Sequence, residues 1–405
     1  MVPRPGQVQH VVFVIQENRS FDNLFHGYPG ADTVSSGVTS TGQTITLGQA
    51  GLEAPIGIGH GLSDFLAAWD QGKMDGFNLE AGGKSYLPYA YVPQREVQPY
   101  WQMAGQYVLA DHMFASNIDA SFVAHQYLIA GQAGGTVDFP LTNWGCTGGP
   151  TDLIHLLTPQ RTYGRSVVAC FDYQTLADEL VAKGFSWRFY APPAAVPGGL
   201  WSAYQAINHI CGQISRVNGV CTGPSFVANV ISPETQVLTD VSDGKLANVT
   251  WVVPDFANSD HTGSLSTTGP SWVASVVNTI GSSKFWPHTV IFVLWDDWGG
   301  WYDHVAPPQL DDDGPGLRVP MLCISPFAAT GPVNHTQLEF GSLLRLAEDA
   351  FGLGRLAASD TRATSAAVGC LNFAQAPRAF APITAPLRVN DFLRRPHSYR
   401  APDDE

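Results

Sequence analysis

Charge is scarce in this chain, and positive charge is scarcest. Only 14% of its 405 residues are Asp, Glu, Lys or Arg, well below the usual quarter. There are 21 Lys and Arg against 35 Asp and Glu, which leaves a net charge of −14. A field of that sign repels nucleic acid and anionic bilayers at long range. No Lys/Arg run is long enough to build a basic patch, so nucleic-acid binding is excluded. The cluster Arg394, Arg395 and Arg400 lies in a Pro-rich tail and reads as a solvated end. An anionic substrate could bind only where a local cation outweighs the global field. No apolar stretch reaches the roughly 18 residues that a membrane span needs, which excludes stable membrane insertion. No signal peptide precedes the first strand pattern near residue 9, and the expectation is a leader already removed.

The cysteines show no CxxC zinc pattern. Cys146 and Cys170 bracket a Gly/Pro-rich stretch, and Cys211 and Cys221 bracket a short loop. Each pair reads as a loop-closing disulfide. Cys323 reads as a buried thiol, and Cys370 has no evident partner. Disulfides imply an oxidising compartment, so the chain is expected to be secreted or periplasmic. Six reduced thiols in a cytosolic protein is the alternative. Asn248-Val249-Thr250 and Asn334-His335-Thr336 match glycosylation acceptors, a pattern that also arises by chance.

Apolar, β-branched runs mark buried strands at Val8–Ile15, Tyr107–Phe114, Phe185–Tyr190, Asn248–Val253, His288–Trp295 and Val319–Ser325. Helical patterns lie between them, among them one starting at Ser20, Ser63–Trp69 with Ser63 as N-cap, Ser121–Gly131, Leu200–Ile210, Ser271–Ile280 and Thr336–Leu353. The stretches 28–58 and 132–165 read as loops. Strands alternating with helices predict an α/β fold, with a mostly parallel central sheet, helices on both faces and long loop insertions. No repeat or linker divides the chain. One domain over 8–375 is expected, followed by a tail, 376–405, that packs on it or trails from it.

Ligands bind such sheets at the C-terminal ends of the strands. The first strand runs into Glu17 and Asn18, and the strand His288–Trp295 runs into Asp296 and Asp297. These hard oxygen donors suit Mg²⁺, Ca²⁺ or Mn²⁺. Two capped strand ends with solvated acids would give the same pattern. Ser121 opens a helix, where free N–H groups and the dipole favour a phosphoryl group. It could equally be a plain N-cap. His60, His261 and His209 stand in loops or short turns, where each could donate to a phosphoryl oxygen or protonate a leaving alcohol. Taken singly, each suits a structural role as well. His125, His304 and His335 draw the same attention with less support.

The run HVVFVIQENRSFDNLFHGYPG at 10–30 resembles the opening signature of the bacterial phospholipase C / acid phosphatase phosphoesterase family, which plant non-specific phospholipases C share. GKMDGF at 72–77, ADHMFASNIDASFVAHQYLIAG at 110–131, SDHTG at 259–263 and WDDWGGWYDHV at 295–305 follow in the family's order. The resemblance covers about residues 8–355. It implies an alkaline-phosphatase-like fold and one divalent metal held by Glu17, Asn18, Asp296 and Asp297, with Zn²⁺ also admissible. It implies a Ser121 nucleophile that also contacts the metal, a phosphoserine intermediate, and catalytic histidines at His60, His261 and His209. In lipases Pro-Asn usually follows the nucleophile, whereas Phe122-Val123-Ala124-His125 follow it here. The expected activity is a broad-specificity acid phosphatase acting on small phosphomonoesters. The first alternative is a phospholipase C acting on phospholipid head groups, and the second is a non-catalytic binding protein. A sulfatase would need a CxPxR-type motif, which is absent.

Overall fold

In the computed structural model, residues 2–400 are described, apart from 56, 81–85, 141–144, 149, 193–198, 213 and 216–219. The last five residues of the expected tail lie outside this set.

The apolar runs become an eight-stranded sheet. Its strands are β1 (His10–Gln16), β2 (Val108–Ala110), β3 (Trp187–Tyr190), β4 (Val230–Ile231), β5 (Val249–Val252), β6 (Thr289–Trp295), β7 (Met321–Ile324) and β8 (Val333–Asn334). The spatial order is β4-β3-β5-β1-β6-β7-β2-β8. Neighbours from β4 to β6 pair in parallel, and β7 alone runs against the rest. The central strands are apolar on both sides because both faces are covered. Phe13 shows the consequence. It lies level with Trp251 on one neighbour and Phe292 on the other, and Phe189 extends the row beyond Trp251. This aromatic band faces the helix Ser121–Ala130, whose Leu128 carbonyl accepts the Trp251 indole N–H at 3.0 Å. Gln16, on the opposite face by strand alternation, donates to the Tyr100 hydroxyl of the helix Gln98–Gln106 at 3.2 Å. Helices therefore cover both faces, as the alternating pattern predicted.

The differences lie in the insertions. The stretch 132–165 is not all loop: Thr136–Val137, Leu153–Leu157 and Tyr163–Val168 pair as a small antiparallel sheet. The run Leu200–Ile210 breaks into short 3₁₀ turns and the single helical turn Asn208–Cys211. The early helix starts one residue sooner, at Leu62, with Gly61 rather than Ser63 as N-cap. Between residues 376 and 400 the chain packs back on the body of the protein. Phe392, in the short helix Val389–Arg394, packs edge-on against Trp272. Arg400 lies over the Phe256 ring at 4.0 Å, so this part of the basic cluster is not a free end. The Cys146–Cys170 and Cys211–Cys221 disulfides form, while Cys323 and Cys370 are buried thiols. Neither glycosylation triplet is available, because Thr250 is fully buried in β5 and Asn334 is buried in β8. No helix among the described residues is long and apolar enough to cross a membrane.

Candidate active site

The register of two strands builds the floor of the site. Gln16 of β1 lies level with Trp295 of β6, so Glu17-Asn18 and Asp296-Asp297 leave the sheet side by side. Backbone bonds lock the exits together: Asp296 N–H donates to Gln16 O and Arg19 N–H to Asp297 O, each at 3.0 Å. On the other side Glu17 N–H donates to Ser259 O at 2.9 Å, which ties in the loop after β5. Asn18 has φ of 57°, a left-handed conformation that Asn tolerates better than most residues. Its amide N–H meets Asp296 Oδ1 at 3.0 Å. Gly299 passes so close that a Cβ there would sit 2.1 Å from the Asn18 carbonyl oxygen, so this turn requires glycine.

Ser121 is the first residue of its helix. Ala120 is the N-cap, so the serine does not stand at the N-cap position. Its hydroxyl lies 3.3 Å from Asn18 Oδ1 and 3.3 Å from Asp297 Oδ2. The first intrahelical bond is Ala124 N–H to Ala120 O, so the amides of residues 121–123 precede the ladder at the dipole's positive end. One turn on, His125 puts Nε2 at 3.0 Å from Glu17 Oε1 and 3.8 Å from Asp296 Oδ2. Burial pushes the His125 imidazole down to about 4, against the pull of Asp296.

His60 joins the same cluster. Its Nδ1 faces the Ile58 carbonyl at 2.8 Å, which can only accept, so Nδ1 carries the hydrogen. Nε2 then accepts from the Asn18 side-chain amide at 2.7 Å. That bond turns the Asn18 amide oxygen towards Ser121. His60 Nε2 is also 4.0 Å from Asp297 Oδ2. His261 comes from the loop after β5, with ring centres 6.2 Å apart between it and His60. Its Nδ1 donates to the Thr262 carbonyl. Ser121, His60 and His261 are all nearly fully buried. His209 is the exception to the expected set. Its ring nitrogens go to Asp172 at 2.7 Å and Asp178 at 3.1 Å, at the surface. Two carboxylates outweigh its partial burial and raise its pKa. The short turn Asn208–Cys211, closed by the Cys211–Cys221 bridge, holds it there.

Glu17, Asp296 and Asp297 are each 0% exposed. Carboxylates so buried require a cation, donors or protonation. Asp296 Oδ2 has no hydrogen-bond partner among the described residues. Glu17, His125 and Asp296 offer ligand atoms within 4.8 Å of one another. The nearby Arg19 does not serve these acids: its guanidinium donates to Asp260 O, Asn23 Oδ1 and Leu52 O. The donors present therefore fit a divalent cation.

Two contributors escaped the sequence reading. His125 was singled out only weakly, although its spacing of four from Ser121 puts both on one helix face. The support beneath the loops was not foreseen. Asp260, raised to about 6 by burial against the pull of Tyr100 and Arg19, accepts from the Tyr100 hydroxyl at 2.6 Å and from the Trp295 indole at 3.3 Å.

Residues 8–354 match the Phosphoesterase family. The non-hemolytic phospholipase C of Burkholderia pseudomallei is 25% identical over 408 residues, covering 85% of this chain and 55% of that protein. The hemolytic phospholipase C of Pseudomonas aeruginosa is 24% identical over 405 residues, covering 85% and 53%. Non-specific phospholipase C1 of Arabidopsis thaliana is 22% identical over 408 residues, covering 86% and 68%. The chain thus spans about half the length of the two bacterial relatives.

Proposed function

The chain belongs to the Phosphoesterase family, and from that premise we propose that it is a metal-dependent hydrolase of phosphoric esters with Ser121 as its nucleophile. The observation that carries the reading is the Ser121 hydroxyl, placed within 3.3 Å of both Asn18 and Asp297 at a helix N-terminus. Glu17, Asn18, Asp296 and Asp297 would hold one divalent cation, with Ser121 beside it. Such a cation supplies Lewis acidity and neutralises charge on the phosphoryl group.

The protein's own groups do the rest. Asp297 accepts the hydrogen bond of the Ser121 hydroxyl, orients Oγ for attack and takes its proton. Oγ forms the new bond to phosphorus as the bond to the leaving oxygen breaks. His261 gives that oxygen a proton. The first amides of the helix stabilise the phosphoryl oxygens, and His60, whose Nε2 accepts from the Asn18 side-chain amide, holds Asn18 in place. Water then hydrolyses the phosphoserine: its oxygen bonds to phosphorus and gives a proton to His261, the P–Oγ bond breaks, and Oγ takes back the proton held by Asp297. His209 has no part in this scheme.

For substrate, phospholipase C-type cleavage of a phosphodiester comes first, because the relatives carry that name. This reverses the order drawn from the sequence. Phosphomonoester hydrolysis remains the second reading, favoured by the 1% exposure of Ser121, which suits a small ester. Two loop-closing disulfides support a place outside the cytoplasm. The test compares p-nitrophenyl phosphate with p-nitrophenylphosphorylcholine. Ser121→Ala should lower turnover of the accepted substrate by on the order of 10³-fold or more. Full activity in that variant would refute the nucleophile.

A further inference from the structure

We propose that Arg400 is a positioning residue for His261, supplied by a segment outside the family match. That match ends at residue 354, yet the chain runs on and returns to the site. Three contacts fasten its last described residues to the loop after β5. Ser398 N–H donates to Asp255 Oδ2 at 3.0 Å. Arg400 donates through Nη1 to the Gly263 carbonyl at 3.0 Å. Its guanidinium also lies over the Phe256 ring, 4.0 Å from the centroid. These contacts bracket His261 in sequence.

The coupling is through packed rings. Phe256 touches both partners: the Arg400 guanidinium lies over its ring, and its ring centre is 5.1 Å from that of His261. Trp201 completes a triangle of rings, 6.3 Å from Phe256 and 6.2 Å from His261. The loop needs such fastening. Asp260 has φ of 71° and Gly263 has φ of 79°, so the backbone on either side of His261 turns through left-handed conformations. Asp255 already holds the loop's entrance, accepting from Asn258 N–H at 3.0 Å. Arg400 fixes the exit. A guanidinium suits this role because one planar group can stack on a ring and donate to a carbonyl at the same time. Arg400 is itself exposed, so its contribution is to the aim of the imidazole rather than to the core.

The inference rests on the reading of His261 as the proton donor to the leaving oxygen. That role matters most when the leaving group is a poor one. The experiment therefore compares an aryl with an alkyl leaving group in the ester class that wild type turns over. The pair is p-nitrophenyl phosphate against glycerol phosphate, or p-nitrophenylphosphorylcholine against glycerophosphocholine. In full-length Arg400→Ala, kcat for the alkyl ester should fall about tenfold and for the aryl ester less than about twofold, with KM little changed. Arg400→Lys should recover part of the loss, since it keeps the charge but not the planar stack. His261→Ala run in parallel should show the same selectivity, more strongly. Equal losses on both esters, or no loss while His261→Ala is selective, would overturn the role of Arg400 alone. A His261→Ala variant without leaving-group selectivity would overturn the reading of His261, and the inference with it.

Discussion

The same two segments build two knots of carboxylate and imidazole, and they differ in what compensates their charge. Glu17 and Asp296 belong to the first knot, with His125. Asp22 and Asp303, a few residues further along the same segments, belong to the second, with His304. Imidazoles, an amide and a hydroxyl face the first knot. The second holds an arginine. Arg318 meets Asp303 through Nε at 2.8 Å and Nη2 at 3.1 Å, and approaches Asp22 at 3.5 Å. Similar acids thus reach opposite chemistry. An internal guanidinium makes the second knot a structural brace, while the first offers its carboxylates to a cation from solution. A list of acids and histidines does not separate the two; the identity of the compensating charge does.

The largest effect is expected from Asp297→Ala. It should lower kcat/KM by on the order of 10³-fold or more and strip the metal, read by elemental analysis. Asp22→Asn should keep its metal, and metal loss there would erase the distinction between the knots. Arg318→Leu should act the other way. With Asp22 and Asp303 left uncompensated, urea unfolding should show about 3–5 kcal/mol of lost stability, with metal content per folded molecule unchanged. Chelation sharpens the contrast. Removing a cation present at about a hundred times its dissociation constant should cost about 2.7 kcal/mol of stability. In chelator, Asp296→Asn should be at least as stable as wild type, because it relieves repulsion among buried acids. A chelated wild type that outlasts the variant would argue against that repulsion.

The smallest effect concerns His304. Burial pushes its pKa down, but the hydrogen bond to Asp22 and the charges of Asp22 and Asp303 outweigh this and leave it raised. Asp22 is itself held up, by burial and Asp303, with only partial relief from His304 and Arg318. The His304 direction is the firmer guide, since its other nitrogen meets Asp32 at 3.1 Å. A raised histidine contributes charge-dependent stability that is complete below the unfolded pKa near 6.5 and fades as pH rises through the folded value. The stability gap between wild type and His304→Gln should therefore be wider at pH 5.5 than at pH 8. A gap that widened with pH would reverse the sign.

Periodicity made the sheet legible, because strands buried on both faces need continuous apolar runs such as Val290–Leu294. Glu17, Asn18, Asp296 and Asp297 were legible because polar residues after such runs stand at strand ends. His209 drew the same expectation as His261 because both are imidazoles in irregular segments. The fate of each depends on which partners the segment finds. The insertion sheet at 136–168 was missed because its strands are short and half exposed, so their alternation is weak.

The sequence alone determined which side chains can be buried and which must leave the sheet, since hydrophobic burial and strand alternation act on local pattern. It thereby determined the fold class and which polar residues stand at the strand ends, while the cysteines that bracket short loops pointed to both disulfide pairs. Only the tertiary structure decided which acids gather with His125 and which share an arginine, and that Arg400 lies against Phe256. Those pairings join residues up to about 280 positions apart, as Asn18 and Asp296 are. Charge compensation acts over a few ångströms in space, and local pattern carries no record of that distance.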